Sequence, residues 1–429
     1  MTEFSLQMFQ NEYLPEGSRE VNAIVTVSAA GANGAAAGTG GGSSEIIMID
    51  CSSSMNYPRD KIEAAKRATL AAIDVLRDGV HFAVISGTDL AELVYPRSGQ
   101  LVELTPRTRA AARAAVHQLV ARGGTAIGRW LALANRLFAT RPDDIRHGLL
   151  LTDGKNEHEQ PHELDATLAA CHGVFTCDCR GVGTDWQVAE LRKISTALLG
   201  SVEIVAEPAG LEADFRAITR AAMSKAVGNV ALRLWTPKGA ELRFLKQVAP
   251  TVLDLTGRRT VPDPGKPLVG EYPTGSWGEE SRDYHLCVDV RPGQVGDEML
   301  AARVSLVGPD GTVFGQGLIR AVWTDDTALS TRINKEVAHY SGQAELADAI
   351  QQGLEARRTG DVETATAKLG RAVQLAAQSG HGDTARLLAK VVDVVDERSG
   401  TVRLRPGVAA VDEMTLDTRS TRTARVRET

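Results

Sequence analysis

Between residues 45 and 225 continuous apolar runs alternate with segments of helical periodicity, and nothing else in the chain limits its fold as tightly. The runs EIIMID (45–50), HFAVIS (81–86), HGLLLTDG (147–154) and GVFTCDCRGVG (173–183) carry little of the in-and-out alternation of a half-exposed strand. Such runs are strands covered on both faces. Between them lie segments such as KIEAAKRATLAAIDVLRDG (61–79), where Ile62, Ala65, Thr69, Ala72, Ile73 and Leu76 share one helical face and Gly79 is the stop. Thr105-Pro106 supplies an N-cap with proline at the first helical position. Further helices are predicted at about 126–139, 162–173, 185–200 and 211–226, with shorter strands at 91–96 and 201–207. Strands alternating with amphipathic helices predict an α/β doubly wound, mainly parallel sheet over 44–225.

The flanks read differently. VNAIVTVSA (21–29) alternates apolar and polar residues as one half-buried strand. GANGAAAGTGGGSS (31–44) has no side chain large enough to pack and reads as a flexible linker. From 226 to 325 helices give way to short strands separated by Gly, Pro and Asp turns, the pattern of a β-sandwich. The strand at 21–29 would complete that sandwich, and the α/β domain would then be inserted in it. Residues 326–397 read as a helical bundle or degenerate helix-pair repeat, broken at Thr359-Gly360 and Ser379-Gly380. Residues 398–429 are rich in Thr and Arg and read as a flexible, disordered tail. The expected divisions are thus 1–43, 44–225, 226–325, 326–397 and 398–429.

At 429 residues the chain is too long for one compact core. Its net charge of −6 argues against general nucleic-acid binding. No run of about 18 apolar residues is present, so no membrane span is predicted. The N-terminal MTEFSLQMFQNEYLPEG lacks an apolar core like that of an export signal, which predicts a cytoplasmic protein with its five cysteines reduced.

The chemistry concentrates at Asp50-Cys51-Ser52-Ser53-Ser54, at the end of the first buried run. Ligands of open α/β sheets bind outside the carboxyl ends of the strands. One carboxylate and two hydroxyls at alternate positions form a cluster of hard oxygen donors, suited to one divalent cation, Mg²⁺ before Mn²⁺ or Ca²⁺, rather than to zinc. Thr125, in Gly123-Gly124-Thr125-Ala126, and Asp153, in Leu151-Thr152-Asp153-Gly154, add two more donors. Asp and Ser are common at turns, so the first segment alone is weak evidence. The three loops together resemble the metal-ion-dependent adhesion site of von Willebrand factor A domains, and the likeness spans about 44–225. The resemblance implies that Asp50, Ser52, Ser54, Thr125 and Asp153 hold the ion, two Ser and one Thr or Asp directly and the rest often through water. It departs from the family at Ser53, where glycine is usual; a positive φ there would be strained.

Such a site leaves one octahedral position open for an Asp or Glu of a partner protein. No nucleophile with an adjacent base is visible, so no catalytic activity is expected. The resulting expectation is a scaffold or adaptor. The alternative is a non-catalytic regulatory subunit of an AAA+ ATPase complex, since family members partner with such ATPases and this chain lacks a Walker A motif.

Other features weigh less. Cys171, Cys177 and Cys179 lie near His158, His162 and His172 in sequence, but Cys177 and Cys179 share one face of a predicted core strand, so buried thiols are expected rather than structural zinc. The five tryptophans read as core, with Trp277 as the one expected at the surface. In the tail, Thr418, Thr421 and Thr423, with Thr415, are candidate phosphorylation positions. The chain also resembles bacterial cytoplasmic von Willebrand A proteins, some linked with Ser/Thr kinases. That implies a phosphothreonine-binding (forkhead-associated) protein or a Ser/Thr kinase as a tail partner.

Overall fold

The computed structural model describes residues 2–31, 42–57, 60–423 and 425. The body of the predicted linker, 32–41, lies outside them. The chain opens with β1 (Glu3–Gln10), β2 (Tyr13–Leu14) and β3 (Glu20–Ala30). In β3, Val21, Ala23, Ile24, Val25 and Val27 are buried, the pattern expected of 21–29.

The α/β unit follows as β4 (Ser43–Asp50), α1 (Asp60–Val75), β5 (His81–Gly87), β6 (Ala91–Tyr95), β7 (Val102–Glu103), α2 (Pro106–His117), α3 (Ile127–Phe138), β8 (Ile145–Thr152), α4 (Pro161–Cys171), β9 (Thr176–Val182), α5 (Val188–Ala197), β10 (Val202–Val205) and α6 (Leu211–Met223). The sheet order is β10-β9-β8-β4-β5-β6, with β7 also on β5. The pairs from β10 across to β5 are parallel, and β6 and β7 run antiparallel at the edge. Ile46, Ile47, Met48 and Ile49 of the central strand are fully buried. Each contributes about 2 kcal/mol by leaving water. Ile62, Ala65, Ala72 and Ile73 of α1 and Phe215 and Ile218 of α6 join Ile47 and Ile49 in one core.

Two local features fix the two ends of β5: the cap of α2 beside its amino end and Gly87 at its carboxyl end. Thr105 caps α2 through its side chain and pairs reciprocally with Thr108, while Pro106 takes the first helical position. Gly87 ends β5 under the indole of Trp130, where any Cβ would collide with the ring. Trp130 Nε1 donates to the Thr88 carbonyl at 2.6 Å, which fixes the start of α3 beside the end of β5. From β4 the chain crosses to β5 on one side and later returns to β8 on the other. The carboxyl end of β4 is therefore a switch point, where neighbouring connections part and leave a crevice.

The second unit is built from residues on both sides of the α/β segment. Its strands are β1 to β3 and then β11 (Val227–Trp235), β12 (Ala240–Ala249), β13 (Leu253–Asp254), β14 (Val269–Trp277), β15 (Glu280–Val290), β16 (Glu298–Val307) and β17 (Val313–Trp323). They form two five-stranded sheets, β1-β3-β15-β12-β13 and β14-β11-β16-β17-β2. β3 lies between β1 and β15, antiparallel to both, with Val25 opposite Tyr284. Phe4 stacks on Phe314 at 4.7 Å, joining one sheet to the other.

The remaining elements are α7 (Thr327–Ser330), α8 (Lys335–Thr359), α9 (Val362–Gln378), α10 (Gly382–Val391), β18 (Val392–Asp396), β19 (Thr401–Leu404) and α11 (Ala410–Arg419). Gly360, at φ 80°, closes α8, and the Asp361 side chain caps α9. Both lie at the predicted break.

Three expectations differ from the structure. The helical region does not run to 397: α10 ends at Val391, and the valine-rich run Val392-Asp393-Val394-Val395 pairs with β19 as a hairpin, turning at Gly400 with φ 70°. The predicted tail from 398 is structured as far as 423. Leu416 of α11 is fully buried with Leu346, Ile350, Leu369, Val391 and Val402, a single apolar anchor that composition averages conceal. Thr418 is 3% exposed, and its hydroxyl donates to the Met414 carbonyl at 2.9 Å. The Thr421 carbonyl accepts from Val252 N–H at 2.7 Å, and the Thr423 hydroxyl donates to the Val248 carbonyl at 2.6 Å. These threonines are part of the fold, and a kinase reaches Thr418 only if α11 is pulled away. Residues 424 and 426–429 lie outside the described residues. Finally, Trp277 is fully buried, because Gly275 at φ 82° turns the end of β14 inward, and its carbonyl accepts from Ala226 N–H at 2.7 Å. Trp235 is instead a partly exposed tryptophan, under the Arg303 guanidinium at 5.4 Å.

Candidate metal centre

Asp50 is the last residue of β4. Cys51 N–H extends the ladder by one bond to the Gly87 carbonyl at 2.7 Å, and the chain then winds into a short 3₁₀ turn, Ser53–Asn56. That turn carries Ser52 and Ser54 over the strand ends. A second loop is stitched to it: Ser53 N–H donates to the Gly123 carbonyl at 3.0 Å, and Arg122 N–H to the Cys51 carbonyl at 2.6 Å. Ser53 has a negative φ, since Leu199 and Asn229 alone take positive values among described non-glycine residues. Serine at the family's glycine position therefore imposes no strain.

The five predicted donors come together. Asp50 Oδ1 accepts from Ser52 N–H at 2.7 Å, and Oδ2 accepts from the Thr152 hydroxyl at 2.5 Å. Ser52 Oγ and Ser54 Oγ are 2.9 Å apart, and Ser54 Oγ donates to Asp153 Oδ1 at 2.6 Å. Thr125 enters from the second loop, two residues past Gly123. A Cβ placed on Gly154 would sit 3.4 Å from both Ser54 Oγ and Thr125 Oγ1, so the two hydroxyls face one common space and Gly154 keeps its floor open. Among the described residues the Thr125 hydroxyl has no hydrogen-bond partner.

Residues that the sequence did not assign to this site hold its geometry. His158 Nδ1 accepts from Thr125 N–H at 3.1 Å, and His158 N–H donates to the Thr125 carbonyl at 3.0 Å, so Thr125 is clamped at both ends. The ring lies where a Cβ on Gly124 would be, which explains the glycine. Asn156 and Glu159 accept from the first N–H groups of α3, at Ile127 and Gly128, both at 2.7 Å. They satisfy donors that a helix start leaves unpaired. The loop after β8 thereby fixes the loop that carries Thr125.

The electrostatics are asymmetric. Asp50 is fully buried, and among the described residues no cationic side chain pairs with it. Burial pushes its carboxyl up to about 6, against the lowering effect of its hydrogen bonds to Ser52 and Thr152. Asp153 is also fully buried, but Lys61 of α1 donates to its Oδ2 at 2.7 Å. Burial alone would lower the Lys61 ammonium, yet the Asp153 hydrogen bond and charge, helped by Asp185, hold it above its ordinary value.

A buried carboxylate without a counter-charge, an unpartnered hydroxyl and a second carboxylate around one space fit a hard divalent cation. Asp50, Ser52, Ser54, Thr125 and Asp153 would hold it. The set is too rich in hydroxyls to be a His, Cys, Asp and Glu cluster, and no group of three or more such residues suited to a metal occurs among the described residues. Cys171, Cys177 and Cys179 are buried free thiols. The thiol of Cys177 is held high by its hydrogen bond with Cys179 and by burial.

Comparison with known proteins agrees with this fold. The model of the von Willebrand factor type A domain matches residues 45–204, and that of the von Willebrand factor type A C-terminal domain matches 374–420. The second match spans the β18–β19 hairpin and α11. A solved von Willebrand factor type A structure from Catenulispora acidiphila is 53% identical, with a TM-score of 0.94, over 99% of this chain and 97% of that one. The chain belongs to the von Willebrand factor type A family. An uncharacterized protein from Synechocystis sp. is 31% identical over 215 residues, and the match spans 49% of either chain, about half the length of that curated relative. The ArnB paralog VWA2 from Sulfolobus acidocaldarius shares the fold, at 15% identity and a TM-score of 0.59 over 98% of each chain. Among the described residues no helix is long and apolar enough to cross a membrane.

Proposed function

We propose that this protein is a metal-dependent interaction module that grips an acidic residue of a protein partner and acts as a scaffold or adaptor, without catalysis of its own. Von Willebrand factor type A domains are a family of protein-interaction modules that commonly bind a divalent ion. One observation carries the reading: Asp50, Ser52, Ser54, Thr125 and Asp153 converge on one space, with the Thr125 hydroxyl left unpartnered. An ion held by two carboxylates and neutral hydroxyls keeps part of its charge for an incoming ligand. Mg²⁺ suits the small all-oxygen set, and Mn²⁺ shares its geometry.

The surroundings support a macromolecular ligand. Tyr57 and Val120, on the loops that carry Ser54 and Thr125, are 79% and 69% exposed. Large apolar side chains left in water beside a binding site are available to a docking partner. A binding role also suits His158, the imidazole beside Thr125, whose Nδ1 accepts a backbone N–H and so serves to position the loop. Selection from a displayed random-peptide library, in Mg²⁺ and in EDTA, tests the reading. Mg²⁺ should enrich peptides with an Asp or Glu at one fixed position, and EDTA or Asp153→Ala should abolish the enrichment. The same peptides recovered in EDTA would refute it.

A further inference from the structure

Lys61 is the one element of the centre that a metal site does not call for. A divalent ion gains from every negative charge around it, yet an ammonium here occupies one oxygen of Asp153 at 2.7 Å. Surface lysines swing freely; this one does not. Its side chain is 6% exposed and its stem runs beside Gly183, whose Cβ position lies 3.7 Å from Lys61 Cε. The other carboxylate in reach, Asp185, is 3.4 Å away and 71% exposed, so water screens that pair. The charge of Lys61 therefore acts chiefly on Asp153.

Resting on the metal reading above, we infer that Lys61 sets the charge of the centre so that it holds its ion loosely and its acidic ligand tightly. Two carboxylates and one ammonium leave the empty centre with a single negative charge. A divalent ion turns that into a single positive charge, which one partner carboxylate neutralises. Without the ammonium the empty centre would be doubly negative and the loaded one neutral. Metal would then bind more strongly, while the loaded centre would have less attraction for a carboxylate. The ligand class that follows is a single Asp or Glu side chain rather than a neutral donor. The two effects have opposite signs, which a merely structural ion pair does not produce.

The test uses the full chain as wild type, Lys61→Met, Lys61→Gln and Lys61→Arg. Mn²⁺ is titrated into metal-free protein by calorimetry. Acetate is then added to the Mn²⁺-saturated protein, and displacement of metal-bound water is read by proton relaxation. Removing one unit charge beside the ion, at the effective dielectric of a protein site, changes affinity by roughly tenfold or more. Lys61→Met should bind Mn²⁺ about tenfold more tightly and acetate several-fold more weakly, with Lys61→Arg near wild type in both. Mn²⁺ bound by wild type but no more tightly by Lys61→Met overturns this inference and leaves the metal site standing. No Mn²⁺ bound by either protein overturns both. If Lys61→Met melts cooperatively only with Mn²⁺ present, the acetate arm decides: acetate bound more weakly than by wild type supports the inference, and acetate bound equally overturns it. If Lys61→Met and Lys61→Gln both fail to fold with and without Mn²⁺, Lys61 is a structural ion pair and the inference falls.

Discussion

Replacing Asp50 by Asn should make the metal-free protein more stable at neutral pH. The side chain is fully buried, and burial raises its carboxyl from 3.8 to about 6. The folded state thus holds this proton more tightly than the unfolded state. Its contribution is favourable at low pH, declines as pH rises from 3.8 towards 6, and is a constant penalty above that. Two pH units correspond to about 3 kcal/mol at pH 7. Asn preserves the shape: its carbonyl accepts from Ser52 N–H, and its amide donates to Thr152 Oγ1, whose hydroxyl turns to the Gly154 carbonyl 3.3 Å away. Imperfect repacking leaves a gain of about 1–3 kcal/mol, or roughly 2–12 °C in the melt of a unit this size. The assay is thermal melting in EDTA between pH 4 and 8, by circular dichroism. The gain should be full at pH 7 and vanish towards pH 4. A metal-free Asp50→Asn that melts at or below wild type at pH 7, or whose advantage does not shrink with acid, refutes the reasoning.

Other perturbations reach the rest of the structure. Gly87→Ala drives a methyl into the Trp130 ring and should cost about 2–3 kcal/mol in denaturant melts, with Thr125 displaced as α3 shifts. His147 is bound to Glu45 at 2.9 Å and Asp178 at 3.0 Å. Burial would lower its pKa, but the two carboxylates outweigh it and hold it at about 10. Its stabilising effect is therefore full below about pH 6.5 and lost as pH rises towards 10, a decline that urea melts should show and His147→Gln should lack. Thr418→Glu buries a charge under α11 and should destabilise the second unit by at least about 2 kcal/mol. Native protein should accordingly resist phosphorylation at Thr418 in a kinase assay read by mass spectrometry.

How much was legible follows from which signals are local. The apolar runs and helical stripes of 45–225 identify the doubly wound sheet, because a strand buried on both faces leaves no room for polar alternation. Asp50, Ser52, Ser54 and Asp153 were legible because their loops follow strand ends whose place in the sheet is set by that alternation, and Thr125 because its Gly-Gly turn opens a helix. Lys61, Thr152 and His158 were not. Each acts through a partner far away in sequence, Lys61 across 92 positions to Asp153 and Thr152 across 102 to Asp50, and no spacing rule links such pairs. The C-terminal segment misled for another reason. Leu416 anchors α11 almost alone, while the surrounding Thr and Arg give the composition of a solvated tail.

The most direct test of the central claim is the thermal melt of wild type and Asp50→Ala with Mg²⁺, Mn²⁺ or EDTA. An ion that binds only the folded state raises the melting point by mass action, by about 2.7 kcal/mol of stability at one hundred times its dissociation constant. The account predicts a clear upward shift with Mg²⁺ or Mn²⁺ in wild type and none in Asp50→Ala. Identical melts of wild type in millimolar Mg²⁺, in millimolar Mn²⁺ and in EDTA would contradict it.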